Sequence, residues 1–360
     1  MLKKIDIYII KKFLGTFFFT LLLIICIIIV FDISEKLEDF IERKAPLKAI
    51  AFDYYLNFIP YFANMFSPLF IFISVIFFTS KMASNSEIVA ILAGGVSFKR
   101  FLRPYLICAT FLAVISFYLN NFMIPHANKK RLAFEEVYYR NKFRNFAQNI
   151  HMQIDSTSYI FMTNFVVDMN MANNFSIERF DKNGELEYKL LCDNARWDTL
   201  TNKWTLNNYV ERYIDGLNEE IYKGTRKDTI INLHPSEFKR RKSFVTTMDL
   251  FALNEFIEEA KFKGSKQIVN YEVEKHQRGA YPFATFVLTL IGVSISSRKV
   301  RGGIGMHIGI GLTISFSYIL FMQISSTFAI NSGAPAIIAV WIPNVLYSLL
   351  ALYLLKKAPK

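Results

Sequence analysis

Charged residues are scarce in this sequence and missing altogether from five long stretches. No Asp, Glu, Lys or Arg occurs from Phe13 to Phe31, from Phe58 to Thr79, from Tyr105 to Met123, across Ala280–Ser297, or from Ile304 to Leu355. A soluble domain carries about 25% charge throughout its length, so a purely soluble enzyme is excluded. The hydrophobic share of 52% excludes disorder, which needs low hydrophobicity. Cysteine is nearly missing too: Cys26 and Cys108 lie in apolar runs and Cys192 has no evident partner, which excludes a disulfide scaffold. There is no Gly-x-x-x-x-Gly-Lys-Ser/Thr phosphate loop and no Gly-x-Ser-x-Gly elbow. His126, His151, His234, His276 and His307 are scattered, without the spacing a metal site needs. We therefore expect no catalytic residues, no metal and no cofactor.

What is present is membrane-spanning length. A spanning helix needs about 20 apolar residues. Phe13–Phe31, Phe58–Thr79, Tyr105–Met123 and Ala280–Ser297 supply four. The last bare stretch divides at Asn331-Ser332-Gly333-Ala334-Pro335, a turn composition, into Ile304–Ala329 and Ala336–Leu355. The first run is longer than a signal-peptide core and lacks a small-residue cleavage site, so it reads as an uncleaved helix. Six spans in a 3+3 arrangement follow: residues 1–125 with three, an insert over 126–278, and 279–360 with three.

Lysine and arginine set the orientation. The N-terminus, the loop Ser80–Pro104, the loop at Arg298, Lys299 and Arg301, and the C-terminus hold fourteen basic residues and only two acids, Asp6 and Glu87. The opposite side nearly cancels. Both termini are expected in the cytoplasm and the insert outside, and the net charge of +12 is a topology signal and not a nucleic-acid footprint. The spans as bounded hold no carboxylate, which argues against ion-coupled transport, and His307 reads as interfacial.

The insert alternates in short runs with turns between them, over about residues 148–233. Tyr159–Met162, Phe175–Phe180, Tyr188–Cys192, Asn194–Trp197 and Lys203–Leu206 read as strands. Asp181–Glu185, Asp198–Asn202 and Asp215-Gly216 read as turns. A small β-sandwich or jellyroll is expected, flanked by amphipathic helices over His126–Phe146 and Asp249–Lys263.

In the loop Ser80–Pro104, Ser84 and Glu87 have capping-box spacing ahead of a short apolar helix, Ile88–Ala93, which Gly94-Gly95 ends. Such a helix suits docking into a partner's groove or lying on the membrane surface. The segment Ala83–Ser97 resembles the coupling helix of the lipopolysaccharide-export permeases, the LptF/LptG family. Tyr271…Arg278…Pro282, Arg301-Gly302-Gly303-x-Gly305 and Trp204-x-Leu206-x-Asn208 also look like that family's positions, and three spans, an external β-jellyroll and three further spans is its layout.

The resemblance implies a non-catalytic inner-membrane permease subunit of an ABC transporter. It would pair with a homologous permease subunit and bind a cytoplasmic LptB-like ATPase dimer. It would pass lipopolysaccharide to LptC-like and LptA-like periplasmic jellyroll proteins. Ser84, Glu87, Ile88, Ala90, Ile91, Gly94 and Arg100 would couple to the ATPase. Lys36, Arg43 and Lys44 would meet lipid phosphates, unless they are ordinary solvated loop charges. Ile160, Ile177 and Leu206 would line an acyl-chain channel, unless they pack a closed core. Gly305 and Gly309 would lie at the dimer seam, unless they pack within the subunit. Asp32, Glu35 and Glu38 look slightly more like the LptG half. The alternative is a membrane-anchored periplasmic interaction protein without transport.

Overall fold

The computed structural model describes residues 3–141, 143–298 and 303–358. Lys299, Arg301, Gly302 and, among the basic residues of the C-terminus, Lys360 lie outside the described residues. The chain divides into two compact units: Met1–Arg140, Val245–Leu253 and Val269–Lys360 form one, and Asn141–Phe244 with Asn254–Ile268 the other.

The first unit is helical. Six of its helical segments are long and apolar enough to cross a membrane. The first three outrun their charge-free windows at both ends, because charged residues continue the helix there; the fourth is extended so only at its N-terminal end and the sixth only by Lys356 and Lys357. α1 runs unbroken over Lys4–Glu42. α2 (Leu56–Ser84) follows a π-helical stretch, Ile50–Tyr55, and contains Pro60 and Pro68. The short α3 is Glu87–Ala93. α4 (Phe98–Tyr118) contains Pro104 and passes through a second π stretch, Leu119–Met123, into α5 (Ile124–Tyr138). The polar helix expected from His126 is thus the upper part of the third span. After α6 (Leu250–Phe262) come α7 (Ile268–Ser296), α8 (Gly303–Ser332) and α9 (Ala336–Lys357). Gly333, at φ +69°, ends α8, and Pro335 caps α9, as the turn composition predicts.

Burial is uneven across these helices. α2 and α7 bury two-thirds of their apolar windows, α8 22% and α1 only 11%. One core joins Ile9 and Phe13 of α1 with Ile88 of α3 and Phe101 and Tyr105 of α4. A second joins Phe72 and Ile76 of α2 with α7, α8 and α9. There Gly311 lets α8 approach closely, since a Cβ on it would meet Ile76 Cδ1 at 2.3 Å. His307, expected at the interface, is buried near the start of α8, with Nδ1 2.7 Å from Ser80 Oγ.

The second unit holds a six-stranded antiparallel meander: β1 (Gln148–Gln153), β2 (Ser158–Val166), β3 (Met171–Phe180), β4 (Leu186–Asp198), β5 (Lys203–Asp215) and β6 (Asn218–Thr229), ordered as in sequence. The three expected turns are there, with Gly184, Asn202 and Gly216 at positive φ. Tyr188–Cys192 and Asn194–Trp197, expected as separate strands, are one strand, β4.

They look separate in sequence because alternation slips between them. Asn149, Thr163, Asn174, Asp193, Asn208 and Thr225 share one row across all six strands. Ladder pairing skips that row and resumes beyond it in the same register. Asn149, Asn174 and Asn208, on alternate strands, take φ of 51°, 48° and 51°, a conformation Asn tolerates better than other L-residues. Asn174 donates to Thr163 Oγ1 at 3.1 Å and Asn208 to Asp193 Oδ2 at 2.7 Å. In the adjacent row Asn173 donates to Asn164 and Asn207 to Asn194. Buried residues therefore sit three apart across the row (Met162 and Phe165, Ala172 and Phe175, Cys192 and Ala195), and both sides contribute to one core.

Candidate functional site

The coupling segment sits differently from its sequence expectation. Ser84 is the exposed last residue of α2, and no capping box forms with Glu87. Ser86, at φ +61°, is the residue that precedes α3, and its side chain caps nothing. The left-handed turn at Ser86 separates Ser84 from the helix it was expected to cap. Glu87 is half-buried and accepts hydrogen bonds from Tyr8 Oη at 3.2 Å and Asn85 Nδ2 at 3.3 Å. Ile88 is buried in the core, so its side chain is not offered to a partner, and Ile91 is half-buried against that core. The outward face of α3 is Val89, Ala90, Ala93 and Gly94. Arg100 is also engaged within the chain: its Nη1 and Nη2 donate to Asp6 Oδ1 and Oδ2 at 2.8 and 2.6 Å.

The three expected rim cations divide. Lys36 is not in a loop. It lies in α1, 8% exposed, because the helix continues eleven residues past Phe31. Its Nζ contacts Asp32 Oδ1 at 2.6 Å and donates to the Tyr54 hydroxyl. It lies 4.8 Å from the Tyr54 ring centre and 4.7 Å from that of Tyr139. Tyr54 and Tyr55 both donate to Asp32, at 3.2 and 3.0 Å. Charge and aromatic faces together compensate the buried ammonium. Arg43 is half-buried and donates to the Arg140 carbonyl at 2.9 Å. Lys44, at φ 53°, is exposed.

Sequence reading missed the carboxylates of the extended spans, Asp6 and Asp32 above all. Helix periodicity carried past the charge-free window could have found the Asp32–Lys36 pair at i,i+4. It also missed a cavity of about 100 Å³ of mixed lining, among it Tyr61, Asn64, Met65, Asn128, Gln277 and Arg278. Arg278 is buried beside it, donating to the carbonyls of Met248 and Val245 and to Glu274.

In the sheet unit, Ile160, Ile177 and Leu206 are all buried in one core. That core is filled from within the chain: Ile231, Leu233 and Phe238 of the strap after β6 join it. Phe238 stacks on Phe165 at 4.7 Å, and Trp204 Nε1 donates to the Leu233 carbonyl at 2.9 Å. Of the motif Trp204-x-Leu206-x-Asn208, the first two are buried in this core and the third lies in the unpaired row. Gly305 and Gly309 do not pack within the subunit, since a Cβ on either would meet nothing within 4 Å.

A sequence model of the family described as lipopolysaccharide export system permease LptF/LptG matches residues 7–357. No curated protein matches the chain.

Proposed function

Since the chain belongs to the LptF/LptG family of lipopolysaccharide export system permeases, we propose that it is one half of a heterodimeric, ATP-driven permease. It takes lipopolysaccharide from the inner membrane and passes it to a periplasmic bridge. The family match over nearly the full chain carries this reading, and six apolar helices beside a separate antiparallel sheet support it. The other half is a homologous permease subunit. A cytoplasmic LptB-like ATPase dimer supplies the energy, and LptC-like and LptA-like jellyroll proteins receive the lipid. Asp32, Glu35 and Glu38 favour the LptG half. Co-purification from detergent tests it: a homologous permease and an ATPase subunit are expected in stoichiometric amounts, and a chain that elutes alone would favour the membrane-anchored interaction protein.

Both termini face the cytoplasm and the sheet unit the periplasm. In a Cys26→Ser background, an impermeant maleimide is expected to label Asn183→Cys in intact spheroplasts and to leave Asn85→Cys unlabelled. Native background is low, since Cys108 and Cys192 are buried and burial pushes the Cys192 thiol up to about 12, away from the reactive thiolate. The reverse labelling would overturn the topology.

The ATPase meets α3 through Glu87, Val89, Ala90 and Gly94, with Ile88, Ile91 and Arg100 supporting that face from behind and Ser84 at its edge. Glu87 has hydrogen-bonding capacity beyond Tyr8 and Asn85, and a charge-assisted bond to a basic residue of the ATPase is worth about 1.5–3 kcal/mol. Glu87→Ala is expected to weaken co-purification about tenfold or more with the permease still folded. Wild-type export by this variant would remove Glu87 from the coupling.

Arg43 and Lys44 offer cations to lipid phosphates at the end of α1, and Lys36 joins them when Asp32 releases it. Gly305 and Gly309, open to their surroundings on the sparsely buried α8, suit close approach by a helix of the other permease half. The jellyroll reading of the sheet is supported by the slipped row, which lets both sides of it turn their apolar residues to one interior. Acyl chains would reach Ile160, Ile177 and Leu206 only where the strap Ile231–Phe238 yields. Photo-crosslinkers at those three positions are expected to capture lipopolysaccharide in an ATP-dependent manner. Capture of protein alone would make the sheet a docking scaffold.

A further inference from the structure

Three observations meet at the N-terminal end of α1. The short helix α3 is tied to it twice: Tyr8 Oη donates to Glu87 at 3.2 Å, and Ile88 shares a core with Ile9 and Phe13. Just past α3, α4 starts at Phe98 behind Ser97, and Arg100 grips Asp6 with two parallel hydrogen bonds. Asp6 is 3% exposed and also accepts from the Lys3 backbone N–H at 2.7 Å. Both ends of the coupling segment are thus attached to the first two turns of one helix.

That helix is built differently from its neighbours. α2 and α4 carry prolines and adjoin π stretches, the usual places where helices bend. α1 has neither over its 39 residues, a rod of about 58 Å at 1.5 Å per residue. Its middle is held on one face only: Phe19, Leu22, Val30 and Phe31 are all more than 60% exposed, while Thr20 meets Ser74 at 3.1 Å and Leu21, Ile24, Ile28 and Ile29 pack against buried residues. Its outer part is fixed again by charge, through Asp32 and Lys36 to Tyr54 and Tyr55. A helix without such bending points, anchored by polar contacts at both ends, moves as one body when one anchor is displaced.

We propose that α1 is the rod through which displacement of α3 reaches the outer end of the helical unit, with Asp6 and Arg100 as the positioning residues that attach it. The inference rests on the ATPase-coupled reading above. A carboxylate and a guanidinium joined by two bonds transmit both push and rotation, because the planar fork fixes orientation as well as distance. Tyr8 reports on the same attachment: its bond to Glu87 lies where the ATPase would compete for that carboxylate.

The test uses the complete permease with its ATPase in liposomes containing lipopolysaccharide. Spin labels are placed at Ile41→Cys on α1 and Val114→Cys on α4 in the Cys26→Ser background, and the distance between them is compared without nucleotide and after vanadate trapping. In the otherwise native complex the distance is expected to change. In Asp6→Asn the change should be lost and lipid released per ATP hydrolysed should fall about tenfold, within the usual range of coupling between sites. ATPase co-purification and hydrolysis should persist. The exchange Asp6→Arg with Arg100→Asp should restore the change, and the persistence of ATPase binding and hydrolysis in Asp6→Asn separates lost transmission from a merely structural role. If Asp6→Asn does not accumulate, Asp6→Glu, which keeps the charge and displaces the fork, is read the same way. A native-like distance change and native-like release in these single variants overturns the proposal. An otherwise native complex that recruits no ATPase overturns the functional reading instead, so the two failures are told apart.

Discussion

Trp204→Ala is expected to destabilise the sheet unit by about 3–5 kcal/mol, the usual range for removing a fully buried aromatic ring. Trp204 has no exposed surface. Its ring lies parallel to Phe175 at 6.3 Å and edge-on to Trp197 at 5.4 Å, and its N–H holds the Leu233 carbonyl of the strap. The substitution therefore leaves a cavity, an unmatched carbonyl and a loosened strap at once. Trp204→Phe keeps most of the volume and loses the hydrogen bond, so a smaller cost of about 1–2 kcal/mol follows. Pulse proteolysis of the full chain in micelles over a urea series, scoring cleavage between residues 141 and 268, measures both. A midpoint for Trp204→Ala equal to wild type would show that the core is held elsewhere.

Lys36→Met is expected to be nearly as costly, about 3–5 kcal/mol, because it leaves the Asp32 carboxylate buried without its counter-charge. Tyr54 and Tyr55 still donate to Asp32, but two hydroxyls do not neutralise a carboxylate. The double variant Asp32→Leu with Lys36→Met should recover most of the loss, since replacing both buried charges by apolar groups is often neutral. Thermal inactivation in micelles, run as a double-mutant cycle, reads the coupling directly. Equal stability of Lys36→Met and wild type would mean that Lys36 is solvated and free to serve as a rim cation without release.

The six spans, the sheet and its turns were legible in the sequence because each rests on a strong local signal: unbroken apolar length, alternation, and Gly or Asn where φ turns positive. The site was legible in part. Spacing located α3 but not its orientation. Ile88 looked like a docking residue because an apolar side chain on a short helix can face a partner or its own protein, and only the packing of Ile9 and Phe13 decides which. The partners of Arg100 and Lys36 were hidden for one reason. A lone charge near an apolar run looks solvated until its partner is known, and Asp6 lies 94 residues from Arg100. The pairing of Asp32 with Lys36 was hidden because the charge-free window ended at Phe31, although the helix did not.

The row of Asn149, Thr163, Asn174, Asp193, Asn208 and Thr225 has a consequence for heredity. Pairing runs in one register on both sides of it, so each strand contributes the same one residue to the crease. A one-codon deletion of Asn174 would leave β3 a residue short of both neighbours everywhere beyond the crease, and a one-residue slip moves side chains to the opposite face. Such a crease cannot be gained or lost one strand at a time. Length changes in this unit are therefore expected to collect in the hairpin loops Asp181–Glu185 and Asp198–Asn202, where insertion disturbs no pairing, and to be absent from mid-strand. A scan of single-codon deletions across residues 148–229, scored for folded protein in the membrane, is expected to show intolerance through the strands, crease included, and tolerance in those two loops.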